Sequence, residues 1–155
     1  MRGTAKVTRN GRDVYLLSAG EVGGELSSLT GNLNSANVVA ESPVTALWIK
    51  EQHLLPIIEA SEGLQQTLWQ IAASRIAHNL LAEVEPFAGM DPDRLRVLLQ
   101  GATLTNPNGL AKLPQSNHLW VLVAGTAGTL KAPAVLPSSQ LEFSNARIFA
   151  VPMPE

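Results

Sequence analysis

The hydrophobic pattern begins with a period of two and lengthens near residue 50. Residues 6–9 (KVTR) and 13–17 (DVYLL) flank Asn10-Gly11. That dipeptide supplies the positive φ angles of a tight turn, so residues 4–17 are predicted to form a β-hairpin. Residues 35–40 and 44–49 read as two further strands, separated by Glu41-Ser42-Pro43. A short helix is predicted over 51–60, with Pro56 in its first turn or kinking it. Glu62-Gly63 breaks the pattern, and a long helix is predicted over 64–83. Its apolar set is Leu64, Leu68, Trp69, Ile71, Ala72, Ile76 and Leu80. At about 100° per residue these cover more than half the circumference, so the helix needs cover on two sides. Gln66, Gln70, Ser74 and His78 fall in the polar arc. Arg75 and Asn79 interrupt the apolar stripe and need partners if buried.

After a linker over 86–90, Asp91-Pro92-Asp93 is a helix start, with Asp at the N-cap, Pro in the first helical position and a second acid beside the positive end of the dipole. Leu95, Leu98 and Leu99 supply the buried edge of that helix, and Gly101 is its expected end. The remainder is β-like. Residues 118–123 and 126–130 are predicted to form a hairpin about Ala124-Gly125, and 147–151 a terminal strand. The expected fold class is therefore α+β, in two regions, 1–85 and 86–155.

The chemistry-bearing stretch is 20–38, GEVGGELSSLTGNLNSANV. The pair Gly23-Gly24 lets backbone N–H groups approach a ligand, and a short helix start offers donors to an anion. Glu25 is placed to accept hydrogen bonds from sugar hydroxyls. This stretch resembles the phosphate-binding cassette of cyclic-nucleotide-binding domains, with the pattern G-E-(L/I/M)-x-x-L-x-G-x-x-R-x-A. Gly24, Glu25, Leu26, Leu29, Gly31 and Ala36 match it. The resemblance implies a partial cyclic-nucleotide-type β-roll followed by helices and a small β-rich tail. It implies a ligand site at Gly23, Gly24, Glu25, Leu26, Ser27, Asn34, Ser35 and Ala36. In the family an arginine pairs with the cyclic phosphate. Here Asn34 takes its place, and no arginine lies between Arg12 and Arg75. Losing a hydrogen bond to a charged group costs roughly 1.5–3 kcal/mol, about one to two decades of affinity. The expectation is no obligatory cofactor and at most weak cyclic AMP or cyclic GMP binding.

Composition narrows the classes. Eleven Lys and Arg against thirteen Asp and Glu give a net charge of -2, which lacks the basic excess of a nucleic-acid binder. Without cysteine there is no disulfide, thiolate metal site or cysteine nucleophile. His53, His78 and His118 stand far apart with no i,i+4 partner, so no metal site is expected. No apolar run approaches the ~20 residues of a membrane span, and residues 1–11 lack the apolar core of a secretory signal, so the expected location is cytoplasmic. No G-x-S-x-G frame or Walker pattern occurs, so no enzyme is expected. One good helix after Pro86, followed by proline-rich β-like chain, argues against a helix-turn-helix regulator.

The segments LWQIAASRIAHNLL, HLWVLVAGTAG, LKAPAVLP and ARIFAVP occur in that order. They resemble the cytosolic C-terminal region of sperm-type and bacterial sodium/proton exchangers, where a cyclic-nucleotide-binding domain precedes a β-rich tail. Strand, strand, cassette, strand, strand is the order of the second half of that family's β-roll; its leading strands have no counterpart here, so the resemblance implies an incomplete roll. The functional expectation is a regulatory or sensory module of exchanger type with weakened or lost ligand binding. The alternative is an interaction or dimerisation module with no small-molecule ligand. An incomplete roll leaves sheet edges open, so a homodimer is expected in either case.

Overall fold

In the computed structural model, residues 2–31, 36–112, 117–137 and 141–154 are described. Helices and antiparallel sheets mix in an α+β fold. The chain divides into two units, residues 1–68 and 69–155.

In the first unit, strands β1 (Ala5–Arg9) and β2 (Arg12–Leu17) form the expected hairpin. Asn10 and Gly11 both take positive φ, 50° and 74°, the requirement of a two-residue turn matched to strand twist. The helix α1 (Glu25–Thr30) follows, then strand β3 (Asn37–Ala40). β3 pairs antiparallel with β1, giving a three-stranded sheet in the order β2-β1-β3. Lys6, on the central strand, reaches Asp13 at 2.9 Å and Glu41 at 2.7 Å. Its hydrogen bonds to Asp13 and then to Glu41 raise its pKa above the usual lysine value. A raised lysine pKa adds stability that is present at neutral pH and lost only as strongly alkaline pH removes the proton. The ion pairs are exposed, so the contribution is small.

The fourth expected strand, 44–49, does not form. β3 already occupies β1 from Ala5 to Thr8, and the chain beyond Pro43 makes a single bridge, Arg2 with Thr45. Residues 46–49 pair with no described strand. The helix α2 (Glu51–Ala60) spans its expected range, but Pro56 lies in its interior, past the first turn.

The long helix α3 (Glu62–Leu81) begins and ends two residues before its expected limits and crosses the division between the units. Of its expected apolar set Leu68, Trp69 and Ala72 are buried and Leu64, Ile71, Ile76 and Leu80 only partly so; Ala73, Ala77 and Leu81, outside that set, continue a buried line from Trp69. Alanine lets a backbone approach closely, and close packing favours that over bulk. Of the interrupting residues, Asn79 is exposed and Arg75 is partly buried with a partner. Gln70, expected in the polar arc, donates from Nε2 to the Ala102 carbonyl at 3.2 Å.

In the second unit, α4 (Pro92–Gln100) starts as expected. Asp91 accepts from the N–H groups of Asp93 and Arg94 at 3.0 and 3.1 Å. Gly101 caps its end in a right-handed conformation, φ −83°. Strands β4 (Thr103–Thr105), β5 (His118–Ala127), β6 (Leu130–Lys131), β7 (Ala134–Val135) and β8 (Phe143–Pro152) make a five-stranded sheet, with a 3-10 helical segment (Pro107–Lys112) after β4. The expected hairpin about Ala124-Gly125 is instead one continuous strand, β5, paired along its length with β8. The register shifts twice, between Leu122 and Ala124 and between Ala124 and Thr126; at the second, Asn145 and Ala146 of β8 stand opposite Gly125 alone, which takes φ +77°. A Cβ there would meet the carbonyl oxygens of Ser144 and Asn145, so the site excludes any side chain. The chain reverses one turn later, at Gly128. The terminal strand expected over 147–151 is present and longer, as β8.

Both faces of this sheet are covered. One packs Val121, Val123, Phe149 and Val151 against Ala73, Ala77, Leu81, Phe87, Leu95 and Leu99. The other gathers Leu122, Ile148 and Ala146 with Leu136 and the partly buried Leu110, Leu141 and Phe143. Among the described residues no helix is long and apolar enough to cross a membrane.

Candidate functional site

The cassette-like turn has a definite geometry. Gly24 precedes α1 with φ +88°, and Gly31 follows it with φ +68°, so a left-handed glycine bounds each end. Beyond Gly24 a side chain would meet open space, so backbone conformation alone calls for glycine there. Ser27 Oγ donates back to the Gly24 carbonyl at 2.9 Å, Thr30 Oγ1 to the Leu26 carbonyl at 2.6 Å, and Gly31 N–H to the Ser27 carbonyl at 2.9 Å. The turn is thus closed on itself. Gly23 is exposed, and its Cα lies where a Cβ would approach Leu17 Cδ1 to 3.1 Å. Upstream, Glu21 accepts from Tyr15 Oη–H and from Ser18 N–H, the latter at 2.6 Å, which ties the approach loop to β2.

Glu25 occupies the first helical position and is 3% exposed, the buried charged residue among those described. It is engaged with a partner, and no buried side-chain nitrogen or oxygen among the described residues lacks a hydrogen bond. Leu26 is partly buried, as is Ala36 immediately before β3. Asn34 and Ser35, expected at the phosphate end of the cassette, lie outside the described residues. The structure therefore brings Gly23, Gly24, Glu25, Leu26 and Ser27 together in one turn, with Ala36 entering the adjoining strand. Among the described residues no group of three or more His, Asp or Glu side chains could hold a metal ion.

A second feature of the first unit escaped the strand pattern. Val38 and Val39 of β3 are more than half exposed. Leu47 and Trp48 are 71% and 82% exposed, with Val44, Ile49, Leu16 and Ile57 also open. Periodicity assigned 44–49 to a sheet and so hid this surface. Its signal was the unbroken apolar run Leu47-Trp48-Ile49, a few residues after a proline. Conversely, all the buried hydrophobic side chains described, except Ile58 and Leu68, fall in residues 69–155. Sequence reasoning also passed over Arg147, a cation set in the apolar run of β8. Comparison with protein-family models and with curated proteins found no match.

Proposed function

We propose that this chain is a non-catalytic regulatory module of the cytoplasm that acts by association, first of all with a second copy of itself, and retains its cassette as a structural turn. The observation that carries this reading is the apolar surface of the first unit, with Leu47 and Trp48 its most exposed members, together with a β3 edge that no described strand covers. A three-stranded sheet is stable when it has an apolar face to bury. Here most of the described apolar burial is in the other unit. Exposed contiguous apolar residues mark interaction surfaces, and open sheet edges invite pairing. Burying Leu47 or Trp48 fully is worth about 1.5–3 kcal/mol each before the entropy of association is subtracted. A twofold pair is the simplest closed arrangement. Light scattering coupled to size exclusion at tens of micromolar is the test. The expected result is a dimer that Leu47→Ser with Trp48→Ser converts to monomer. A strict monomer in the parent chain overturns the reading.

A second reading, a cyclic-nucleotide sensor of sodium/proton-exchanger type, is favoured by α1 bounded by two left-handed glycines, the shape that the resemblance implies. With Asn34 in place of the arginine and Glu25 buried, cyclic AMP and cyclic GMP are expected to bind no better than high micromolar. Calorimetry giving a low-micromolar constant would favour the sensor. If only the arginine is missing, Asn34→Arg should recover about 1.5–3 kcal/mol. No gain assigns the loss to the turn itself.

A further inference from the structure

β8 from Ala146 to Val151 is buried except at Arg147, which is partly exposed. The Arg147 guanidinium lies over the indole of Trp69, 4.6 Å from the ring centre. Burial pushes its pKa below the ordinary arginine value. Among the described residues no carboxylate pairs with it. This cation is only partly withdrawn from solvent, and the aromatic face supplies only part of a counter-charge.

The backbone opens a space beside this cation. The β4–β8 ladder ends at Thr105 opposite Ile148, one residue short of Arg147. The chain then leaves the sheet through Asn106 and Pro107 into the 3-10 segment. On β8 itself, Asn145 is held at φ 47°, in the bulge that faces Gly125. Between the departing β4 and the irregular β8 lies a recess of about 440 Å³, lined by Asn106, Pro107, Asn145, Ala146 and Arg147. The recess is a shallow seat open to solvent, with room for a small anion. None of its lining residues is acidic. Asn106 Oδ1 accepts from Gly109 N–H at 3.0 Å, which fixes the amide and leaves its NH₂ group as the donor. With one face of the guanidinium on Trp69, its in-plane N–H fork is the part suited to a carboxylate or a phosphate.

We propose that this recess binds the oxyanion group of a small molecule, with Arg147 as its charge partner and the amides of Asn106 and Asn145 as supporting donors. The site is built from the second unit alone and is independent of the association surface proposed above. The test uses the full ¹⁵N-labelled chain, titrated separately with inorganic phosphate and with succinate at constant pH and ionic strength. A saturable shift at the Trp69 indole N–H and the Arg147 backbone amide is expected, and the probe that saturates identifies phosphate or carboxylate as the ligand chemistry. Arg147→Gln should abolish saturation. Asn145→Gly, which keeps the left-handed backbone and removes one donor, should weaken binding about tenfold. It decides the matter if Arg147→Gln fails to fold. Non-saturating shifts with both probes, an undiminished response in folded Arg147→Gln, or unchanged affinity in Asn145→Gly would each overturn the proposal.

Discussion

At the scale of single residues, two glycines play opposite parts. Gly125 has φ +77° and faces two carbonyl oxygens, so alanine there meets both backbone strain and collision. Gly63 is in the first turn of α3 with open space around it, where alanine is the better helix former. Gly125→Ala is therefore expected to destabilise by at least about 1–3 kcal/mol. Gly63→Ala should stabilise by about 0.5–1 kcal/mol. Urea denaturation of the two variants measures the difference, and equal effects would contradict the bulge. Glu25 shows the same dependence on context. As a letter it belongs to a sugar-binding pattern; as a side chain it is buried at the first position of a short helix.

At the scale of elements, α3 turns on which side chains touch the sheet. The alanine line at 73 and 77 sets the approach of helix to sheet, opposite Val121, Val123 and Phe149. Ala77→Leu should cost about 1–3 kcal/mol by overpacking. Ile71→Ala, at a partly exposed position, should cost less. Thermal or chemical denaturation that ranked them the other way would refute the packing described. The hairpin β1–β2, the cap at Asp91 and the limits of α2 were legible in the sequence because each rests on local chemistry: positive φ at Asn10-Gly11, a side-chain acceptor before a proline, and a change of period. The continuity of β5 was not legible. Ala124-Gly125 is a turn signal by composition, and only the presence of β8 along the whole strand keeps it extended, opposite a bulge of β8.

At the scale of the whole molecule, burial is uneven. The second unit holds nearly all the buried apolar side chains described, while the first holds Ile58 and Leu68. Regions with few buried contacts open at lower free energy. Hydrogen exchange is thus expected to be slow in β5 and β8 and markedly faster in β1, β2 and β3. Raising the protein concentration should slow exchange in the three-stranded sheet if association covers it. Equal protection of both sheets at low concentration would contradict this distribution.

The sequence by itself determined the α+β class, the first hairpin, the succession of helices and the two glycines that bound α1, since these depend on interactions within a few residues. Tertiary structure decided what depends on neighbours distant in the chain. β3 took the edge of β1 and left Leu47 and Trp48 uncovered, because a strand edge pairs only once. β8 aligned with all of β5, which set Gly125 opposite a bulge of β8 and Arg147 against Trp69. Hydrophobic periodicity tells which side chains favour burial. Which of them find cover is settled only when the other half of each contact is in place.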